Sequence, residues 1–398
     1  MARLEFHDIE FYDLGDSVNI RFLNVFHTSV SKQELEDIGR FRIGSHFIEF
    51  DASEKRARVK FNSLLQRAFS NLRNGINGRR AIYVHRNSGI PLIGSNSFGI
   101  VDRNTSTVEV KPITGCNLDC IFCSVDEGFS SKDKADIVVE EEYLVEEFRK
   151  LAEFKGVPIE AHINANGEPL LYSRIVDLIR DLRKVPNVRT ISIDTNGTML
   201  TEELAVRMKE AGLTRFNISI SSLSQDAYSR ISGSRASVEH LKHMIEFCSR
   251  IAEVLIAPVL VPGINDSEIE PLIEYAKALN VRIGIQNFLE YPHGRRPVKQ
   301  IPMEEFKERL RRLEKKHRVK LLLSPSDFNI VKTERLPKPF RKGMTVEAEI
   351  ICPGRRPGEC IASAGERNLT VLNCHKSSGR IRVKILRSKH NIFLGRPA

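Results

Sequence analysis

The chain has 398 residues, of which 41% are hydrophobic and 28% are charged. This composition is ordinary for a folded globular protein, and no stretch reaches the length of a membrane span. The first residues carry a charge every few positions and lack the apolar run of a signal peptide, so we expect a cytoplasmic protein without membrane contact. The 7 cysteines, none of them before residue 116, are not distributed like a secreted disulfide framework and favour reduced thiols that bind a metal.

Residues 1–107 combine short alternating runs such as SVNIRF with an amphipathic run, FNSLLQRAFSNLRNGI. These patterns predict a small N-terminal α+β domain. The domain offers neither a cluster of metal ligands nor a phosphate-binding loop, so its role is not predicted.

Residues 108–325 repeat an apolar strand followed by an amphipathic helix. The six candidate strands are TVEVKPI, IEAHINA, RTISIDT, RFNISIS, VLIAPVLV and RIGIQNFLEY. This rhythm requires right-handed crossovers and a parallel sheet, arranged either as a barrel-like wrap or as an open doubly wound sheet. In both cases ligands bind at the carboxyl ends of the strands, where the loops gather.

Three cysteines lie in the first of these loops, at Cys116, Cys120 and Cys123. Four thiolates would complete an iron-sulfur cubane or a tetrahedral zinc site, so three leave one metal position open to another ligand. A haem attachment would need His where this chain has Ser124, and a zinc ribbon would need a second pair of cysteines at suitable spacing.

The last part of the chain is basic and predicted to be all β. Residues 326–339 form a proline-punctuated linker, and residues 340–398 contain four short alternating strands, which predict a small closed β-barrel. The net charge is +10, and residues 332–398 alone hold 15 Lys or Arg against 5 acids. Such an excess is typical of contact with a polyanion, although a basic tail can also serve solubility alone.

The cysteine loop, followed by NANGEPLL, DTNGT, NISISS, VPGIND and QNFLEY at successive strand ends, resembles the radical S-adenosylmethionine (radical SAM) superfamily. The resemblance covers roughly residues 108–320 and implies a partial (β/α)6 TIM-like barrel. It implies that the three cysteines hold a [4Fe-4S] cluster whose fourth iron is chelated by S-adenosylmethionine. Electron transfer from the cluster would cleave the sulfonium to a 5′-deoxyadenosyl radical, with an electron donor such as ferredoxin or flavodoxin as partner.

The same resemblance implies which residues contact S-adenosylmethionine. They are Phe122, Asn166, Gly167, Glu168, Asn196, Ser219, Ser221 and Gly263. Glu168 matches the acid that binds the methionine amino group, whereas Asn166 stands where the family has a glycine. Asn-Gly is also a common turn and Ser a common helix cap, so that alternative stays open for Asn196 and the two serines.

Residues 340–398 resemble a TRAM domain, an OB-like barrel carried by several RNA-modifying enzymes; we expect an archaeal type. The basic residues expected to contact RNA are Arg355, Arg356, Arg380, Arg382, Lys384, Arg387 and Lys389. In the run GRIRVKILRSK the charges alternate with Ile381, Val383 and Ile385, so charged and apolar residues fall on opposite faces.

A radical enzyme joined to an RNA-binding barrel suggests modification of tRNA or rRNA. The pattern of the methylthiotransferases requires a second cysteine triad in the N-terminal domain, and no cysteine precedes Cys116. Two alternatives remain: modification of a protein side chain or small metabolite, with the barrel as a docking module, or a structural iron site in a non-enzymatic RNA-binding protein. No catalytic residue is predicted.

The remaining cysteines are Cys248, Cys352, Cys360 and Cys374. Cys248 lies among apolar helix positions and is predicted to be a core residue. The other three, with His375, could bind a second metal centre, or one could be a catalytic thiol. Their irregular spacing instead favours small residues that fill strand positions.

Overall fold

A computed structural model describes residues 1–131 and 133–398. The elements of its N-terminal part are β1 (Ala2–Glu5), β2 (Ile9–Asp13), β3 (Ser17–Phe22), β4 (Phe26–Ser31), α1 (Lys32–Glu36), β5 (Phe41–Ile43), β6 (Phe47–Phe50), α2 (Glu54–Phe69), β7 (Arg73–Asn74) and β8 (Ala81–Val84). Strands β1, β6 and β5 form one antiparallel sheet, and β2, β3, β4 and β7 form another. The amphipathic helix predicted from residue 61 begins earlier, at Glu54, because the Ser53 side chain caps it by accepting a hydrogen bond from the Arg56 amide.

The middle of the chain alternates strands and helices. Its elements are β9 (Gly99–Asp102), β10 (Thr107–Lys111), β11 (Thr114–Gly115), β12 (Asp136–Val139), α3 (Glu141–Lys155), β13 (Ile159–Ile163), β14 (Asn166–Gly167), α4 (Ile175–Arg183), β15 (Val188–Thr195), α5 (Glu202–Ala211), β16 (Arg215–Ile218), α6 (Gln225–Ser232), α7 (Val238–Ile251), β17 (Glu253–Ile256), β18 (Val259–Leu260), α8 (Asp266–Ala278), β19 (Arg282–Ile283), β20 (Gln286–Asn287) and α9 (Met303–His317). Two of the predicted strands are each split in two, and in the first of them Pro258, which has no amide hydrogen to donate, separates β17 from β18.

The central sheet has the strand order β9, β10, β13, β15, β16, β17, β19. From β10 onward its strands are parallel and follow one another in chain order, whereas β9 runs antiparallel to β10. The α/β fold with a parallel sheet is therefore confirmed. The sheet is open, with β9 and β19 at its edges, and the loops after the parallel strands gather at one end.

The N-terminal part and the central part share their sheets. Strand β9 precedes residue 108, the predicted start of the central domain, yet it belongs to the central sheet. Strand β8 pairs in parallel with β12, which follows the cysteine loop. The predicted boundary therefore falls inside a continuous structure.

The segment predicted as a linker packs against the central part. The Ser106 amide donates to the Val331 carbonyl over 2.8 Å, and the Lys155 ammonium donates to the Thr333 hydroxyl over 2.6 Å. Lys155 also forms a buried ion pair with Asp102 at 2.9 Å. These contacts hold the segment before the C-terminal part against the central part.

The C-terminal part is a closed five-stranded barrel. Its strands are β21 (Thr345–Pro353), β22 (Glu359–Ala364), β23 (Arg367–Leu372), β24 (Gly379–Arg387) and β25 (Leu394–Pro397), joined in the order β21, β22, β23, β25, β24. The predicted closed barrel is confirmed. The sequence missed β25 because its residues, LGRP, include both Gly and Pro.

A helix that crosses a lipid bilayer must be both long and apolar, and the helices within residues 1–131 and 133–398 can be judged by that requirement. None of them is both long enough and apolar enough to cross it.

Candidate active site

A cavity of about 370 Å³ lies at the carboxyl end of the central sheet, a size typical of small-molecule sites. Its wall is built from the cysteine loop and from residues at or just beyond the carboxyl ends of β13, β15, β16, β17 and β20. The structure therefore has a cavity at the end of the sheet where the sequence predicts that a ligand binds.

The three cysteines of the predicted metal site all line this cavity. The Cys116 sulfur accepts from the Leu118 amide at 3.5 Å, and the Cys123 sulfur accepts from the Glu127 amide at 3.2 Å. Burial, and next the nearby Glu168 carboxylate, raise the pKa of Cys116 well above its usual range. Burial likewise raises the pKa of Cys120 to about 12. Thiolates at these positions therefore need a compensating cation, which a bound metal supplies.

Gly167 and Glu168 lie directly beside the cysteine loop. Gly167 has φ +140°, and a Cβ atom there would stand 1.8 Å from the Gly115 carbonyl oxygen, so only glycine fits. Glu168 is 1% exposed and accepts hydrogen bonds from the Thr195 hydroxyl and the Asn196 amide, both at 2.7 Å, and from the Leu170 amide at 3.0 Å. Burial nevertheless raises the pKa of Glu168 to about 7. A cation placed beside this carboxyl group would favour its ionised form.

Not every residue predicted to contact S-adenosylmethionine reaches the cavity. Those that line it are Phe122, Gly167, Glu168, Asn196 and Ser219, and those that do not are Asn166, Ser221 and Gly263. The Asn166 backbone pairs with β11, and its side-chain oxygen accepts from buried Lys111 at 3.5 Å. Ser221 is buried behind the wall, and Gly263 is exposed in a loop with open space around it.

Sequence reasoning missed a polar pair in the wall of the sheet. The Asp194 carboxylate lines the cavity with its side chain 50% exposed, and the His162 ring lies behind it at 3.1 Å. Asn217 donates to the other Asp194 oxygen at 2.8 Å. Burial alone would raise the pKa of Asp194, but the charge of His162 holds it below its usual range. The available signal was a polar residue at every second position of three buried neighbouring strands, at Glu160 and His162, Ser192 and Asp194, and Arg215 and Asn217.

Sequence reasoning also missed the residue that fastens the cysteine loop. Arg295, in the loop after β20, donates to the Asp119 and Cys120 carbonyl oxygens at 2.7 and 3.1 Å and forms an ion pair with Asp126 at 2.9 Å. Its own amide donates to the Cys123 carbonyl at 2.9 Å. The loop after the sixth parallel strand therefore holds the backbone between the cysteines.

The sequence profile described as "Radical SAM superfamily" matches residues 110–276, which include the three cysteines and Glu168. Residues 110–276 therefore form a domain of the radical SAM superfamily. The chain is also 36% identical to the uncharacterized protein MJ0103 of Methanocaldococcus jannaschii over 391 residues, covering 88% of this chain and 89% of that protein. The two proteins are therefore members of one family along nearly their whole length.

Similarity to better-described proteins is partial. A GTP 3′,8-cyclase of Petrotoga mobilis is 34% identical over 218 residues, covering 52% of this chain and 63% of the cyclase. The chain spans 53% of a Listeria welshimeri GTP 3′,8-cyclase, also at 34% identity. Among solved structures, SuiB of Streptococcus suis bound to S-adenosylmethionine aligns over 80% of this chain and 71% of its own, at 13% identity and a TM-score of 0.42.

The cofactors of this superfamily are a [4Fe-4S] cluster and S-adenosylmethionine, and the radical SAM domain has suitable donors for both. In residues 1–131 and 133–398, no three His, Cys, Asp or Glu side chains converge as the ligands of one metal ion would. A cubane does not require such convergence, because each thiolate binds a different iron. Three thiols on one cavity wall fit a cluster that keeps one iron for a small molecule.

The outer face of the C-terminal barrel carries most of the basic residues predicted to bind RNA. Those that are exposed are Arg380, Arg382, Lys384, Arg387 and Lys389, whereas Arg356 is half-buried. Arg382 and Arg380 lie opposite Glu347 and Glu349 of β21, and Lys384 lies opposite Arg396 of β25. The face is therefore positive toward β25 and mixed in sign toward β21.

The structure does not place Arg355 with the other residues that are predicted to contact RNA. Arg355 is 9% exposed and pairs with the fully buried Glu127 carboxylate, which follows the cysteine loop. Most of its guanidinium group is enclosed, so Arg355 is not one of the exposed basic side chains of the barrel face. The count of basic residues in the sequence could not show this, because it does not distinguish an exposed charge from an enclosed one.

The other cysteines lie within apolar clusters. Cys248 is 0% exposed on α7, as predicted for a core residue. Cys360 and Cys374 are buried in the barrel core, and the Cys360 thiol donates to the Cys374 and Lys376 carbonyl oxygens at 3.2 and 3.0 Å. Cys352 packs at the edge of the larger core. Cys352 and Cys360 therefore lie in strands, as predicted, whereas Cys374 lies in the connection after β23.

Proposed function

We propose that the protein is a radical SAM enzyme that modifies tRNA or rRNA. The observation that carries this proposal is the attachment, to a radical SAM domain, of a closed barrel with five exposed basic side chains on one strand and the turn after it. Arrays of Lys and Arg bind nucleic acid backbones by releasing counterions. The barrel would then hold the RNA while the central sheet performs the chemistry.

The roles that we propose in the cavity follow from its donors. Cys116, Cys120 and Cys123 would hold the cluster. Glu168 would accept a hydrogen bond from the amino group in the methionine part of S-adenosylmethionine. The cofactors, when bound and reduced by a carrier such as ferredoxin or flavodoxin, supply a 5′-deoxyadenosyl radical that removes a hydrogen atom from the substrate. The cavity wall, which includes Phe122 and Ser219, would surround the place of that reaction.

The lining of the cavity narrows the chemistry of the substrate. Among the described residues that form it there is no Lys, Arg or His, and its charged groups are Glu127, Glu168 and Asp194. The Glu127 carboxylate is enclosed, so a phosphate in this place would find no cation in the lining and would meet the Glu168 and Asp194 carboxylates. We therefore propose that a neutral or hydrogen-bond-donating group enters the cavity, as a base turned out of an RNA strand would, while phosphates stay on the barrel.

A small nucleotide is the second candidate, because the similar cyclases named above act on GTP. Modification of a protein side chain stays open as well, with the barrel as a docking module. The absence of a cation from the described lining speaks against an enclosed triphosphate. Incubating reconstituted enzyme with S-adenosylmethionine and GTP should therefore give only unchanged GTP, as analysed by mass spectrometry.

The RNA proposal is tested by the salt dependence of binding to bulk tRNA. Replacing Arg380, Arg382 and Lys384 together by Gln should weaken binding and reduce the slope of log K against log salt by about 2 to 3, since each lost phosphate contact contributes about 0.9. The matched control replaces Arg312, Lys315 and Arg318, exposed basic residues at the end of α9 and just beyond it. That control should bind tRNA as the unchanged protein does.

An equal loss of tRNA affinity in both triple variants would contradict the proposal that the basic face of the barrel binds RNA. An unchanged protein that does not bind tRNA at low salt would contradict it as well. A comparison of RNA nucleosides from cells with and without the gene then addresses the reaction itself. A nucleoside missing from the deletion strain would identify the product, and unchanged nucleosides would favour the protein or metabolite alternatives.

A further inference from the structure

Three basic side chains surround one buried carboxylate just after the cysteine loop. The carboxylate belongs to Glu127, whose side chain is 0% exposed. The basic residues are Arg79 at 3.2 Å, Lys134 at 3.9 Å and Arg355, which makes the shortest contact. The Glu127 amide donates to the Cys123 sulfur at 3.2 Å, so this cluster of charges lies directly beside a proposed cluster ligand.

The charges come from separate parts of the chain. Arg79 belongs to the N-terminal part and also donates to the Gly128 and Ser131 carbonyl oxygens. Lys134 follows the cysteine loop and donates to the Val125 carbonyl at 2.8 Å. Arg355 belongs to the C-terminal barrel. The loop that carries Glu127 is therefore bound both by the N-terminal part and by the C-terminal barrel.

The barrel makes a specific set of contacts at this point. The Ala135 amide donates to the Arg355 carbonyl at 2.7 Å, and the Arg355 side chain donates back to the Ala135 carbonyl at 3.1 Å. Arg80 donates to the neighbouring Gly354 carbonyl at 2.9 Å. Arg355 lies 3.8 Å from Asp136, a second fully buried carboxylate. A forked guanidinium group satisfies several acceptors at fixed angles, which a surface charge would not need to do.

Removing Arg355 would leave two enclosed carboxylates with fewer cations. An unpaired buried charge is costly, so the loop would shift or admit water to solvate it. Because the Glu127 amide donates to the Cys123 sulfur, a shift of the loop would move a proposed cluster ligand. The barrel contact and the cluster site are thus joined through one residue.

We propose that Arg355 is a positioning residue for the iron-sulfur cluster, and that the C-terminal barrel is a structural part of the cluster site. Through Glu127, Arg355 fixes the backbone that follows Cys123. The barrel is then not a detachable module, and deleting residues 340–398 would damage the cluster whether or not the barrel binds RNA. This proposal goes beyond the proposed RNA function and does not depend on it.

The test compares Arg355→Gln and Arg355→Lys with Arg356→Gln. Arg356 is the adjacent control because its acidic neighbour, Glu359 at 3.9 Å, belongs to the barrel itself. Hydrogen exchange of the apoprotein, iron per chain after anaerobic reconstitution, and the midpoint potential of the cluster without S-adenosylmethionine are measured for each. None of these readouts requires RNA or turnover.

For Arg355→Gln we expect exchange of residues 125–131 to become at least several-fold faster, retained iron to fall several-fold, and the midpoint potential to fall because a positive charge is lost. Arg355→Lys keeps the positive charge but loses the forked guanidinium group. Its loop exchange, iron content and midpoint potential should therefore be intermediate. It also carries the test if the Gln variant does not fold. Arg356→Gln should match the unchanged protein.

Two outcomes would overturn the proposal. In the first, both Arg355 variants fold and match the unchanged protein in loop exchange, iron content and potential. In the second, Arg356→Gln loses as much iron as Arg355→Gln, which would assign the effect to the barrel loop in general and not to the Arg355 contact.

Discussion

Replacing Glu168 by Gln is expected to change how the stability of the cofactor-free protein depends on pH. Burial raises the pKa of Glu168 from 4.5 to about 7. Between these values the folded protein holds a proton that the unfolded chain has released, so stability falls as pH rises through the interval. The shift corresponds to a decrease of about 3 kcal/mol in the free energy of unfolding, and this decrease is complete above about pH 7. Gln cannot ionise and therefore lacks this decrease.

The measurement is urea unfolding of the reduced, metal-free protein at several values between about pH 5 and about pH 8. Placing an amide among three hydrogen-bond donors has its own cost, but that cost is the same at every pH. The difference in unfolding free energy between Glu168→Gln and the unchanged protein should therefore move by about 3 kcal/mol in favour of the variant as pH rises.

Glu203→Gln is the matched control, since the Glu203 side chain is 82% exposed on the surface. Its difference from the unchanged protein should stay flat across the same pH interval. If the Glu168→Gln difference is equally flat, the carboxyl group is ionised in the folded state, and the assignment of a raised pKa to burial is wrong.

Gly167→Ala should lower the unfolding free energy by about 3 kcal/mol or more, because the new methyl group would overlap the Gly115 carbonyl. Gly263→Ala, also at positive φ but with open space around it, should cost about 1 kcal/mol; equal costs for the two in thermal unfolding would contradict the steric argument. Asp194→Asn should lower the pKa of His162, which the Asp194 charge raises against the effect of burial. An unchanged titration of the His162 ring in NMR spectra would show that the two side chains do not interact.

Local patterns predicted the parts of this protein that depend on periodicity and spacing. The strand-helix rhythm gave the parallel sheet, and the three cysteine positions fell on the cavity at its carboxyl end. Asp194 and His162 were within reach of the same reasoning, because polar residues alternate along buried strands.

Long-range contacts between charges could not be predicted in this way. Glu127 and Arg355 are more than two hundred positions apart, and nothing near either residue indicates that both are buried. Arg295 is similar, because it follows the sixth strand but contacts the first loop. Which basic residues face solvent and which are enclosed is decided by how the parts pack together.

The position of Arg355 also has a consequence for biosynthesis. The cysteine loop leaves the ribosome long before Arg355, the residue that fixes it, and β25 (Leu394–Pro397), which completes the barrel, is synthesised later still. A nascent chain thus displays its three thiols without the packing that arranges them. Assembly of the metal centre is then a late event, and a prematurely terminated polypeptide would be a poor acceptor for iron.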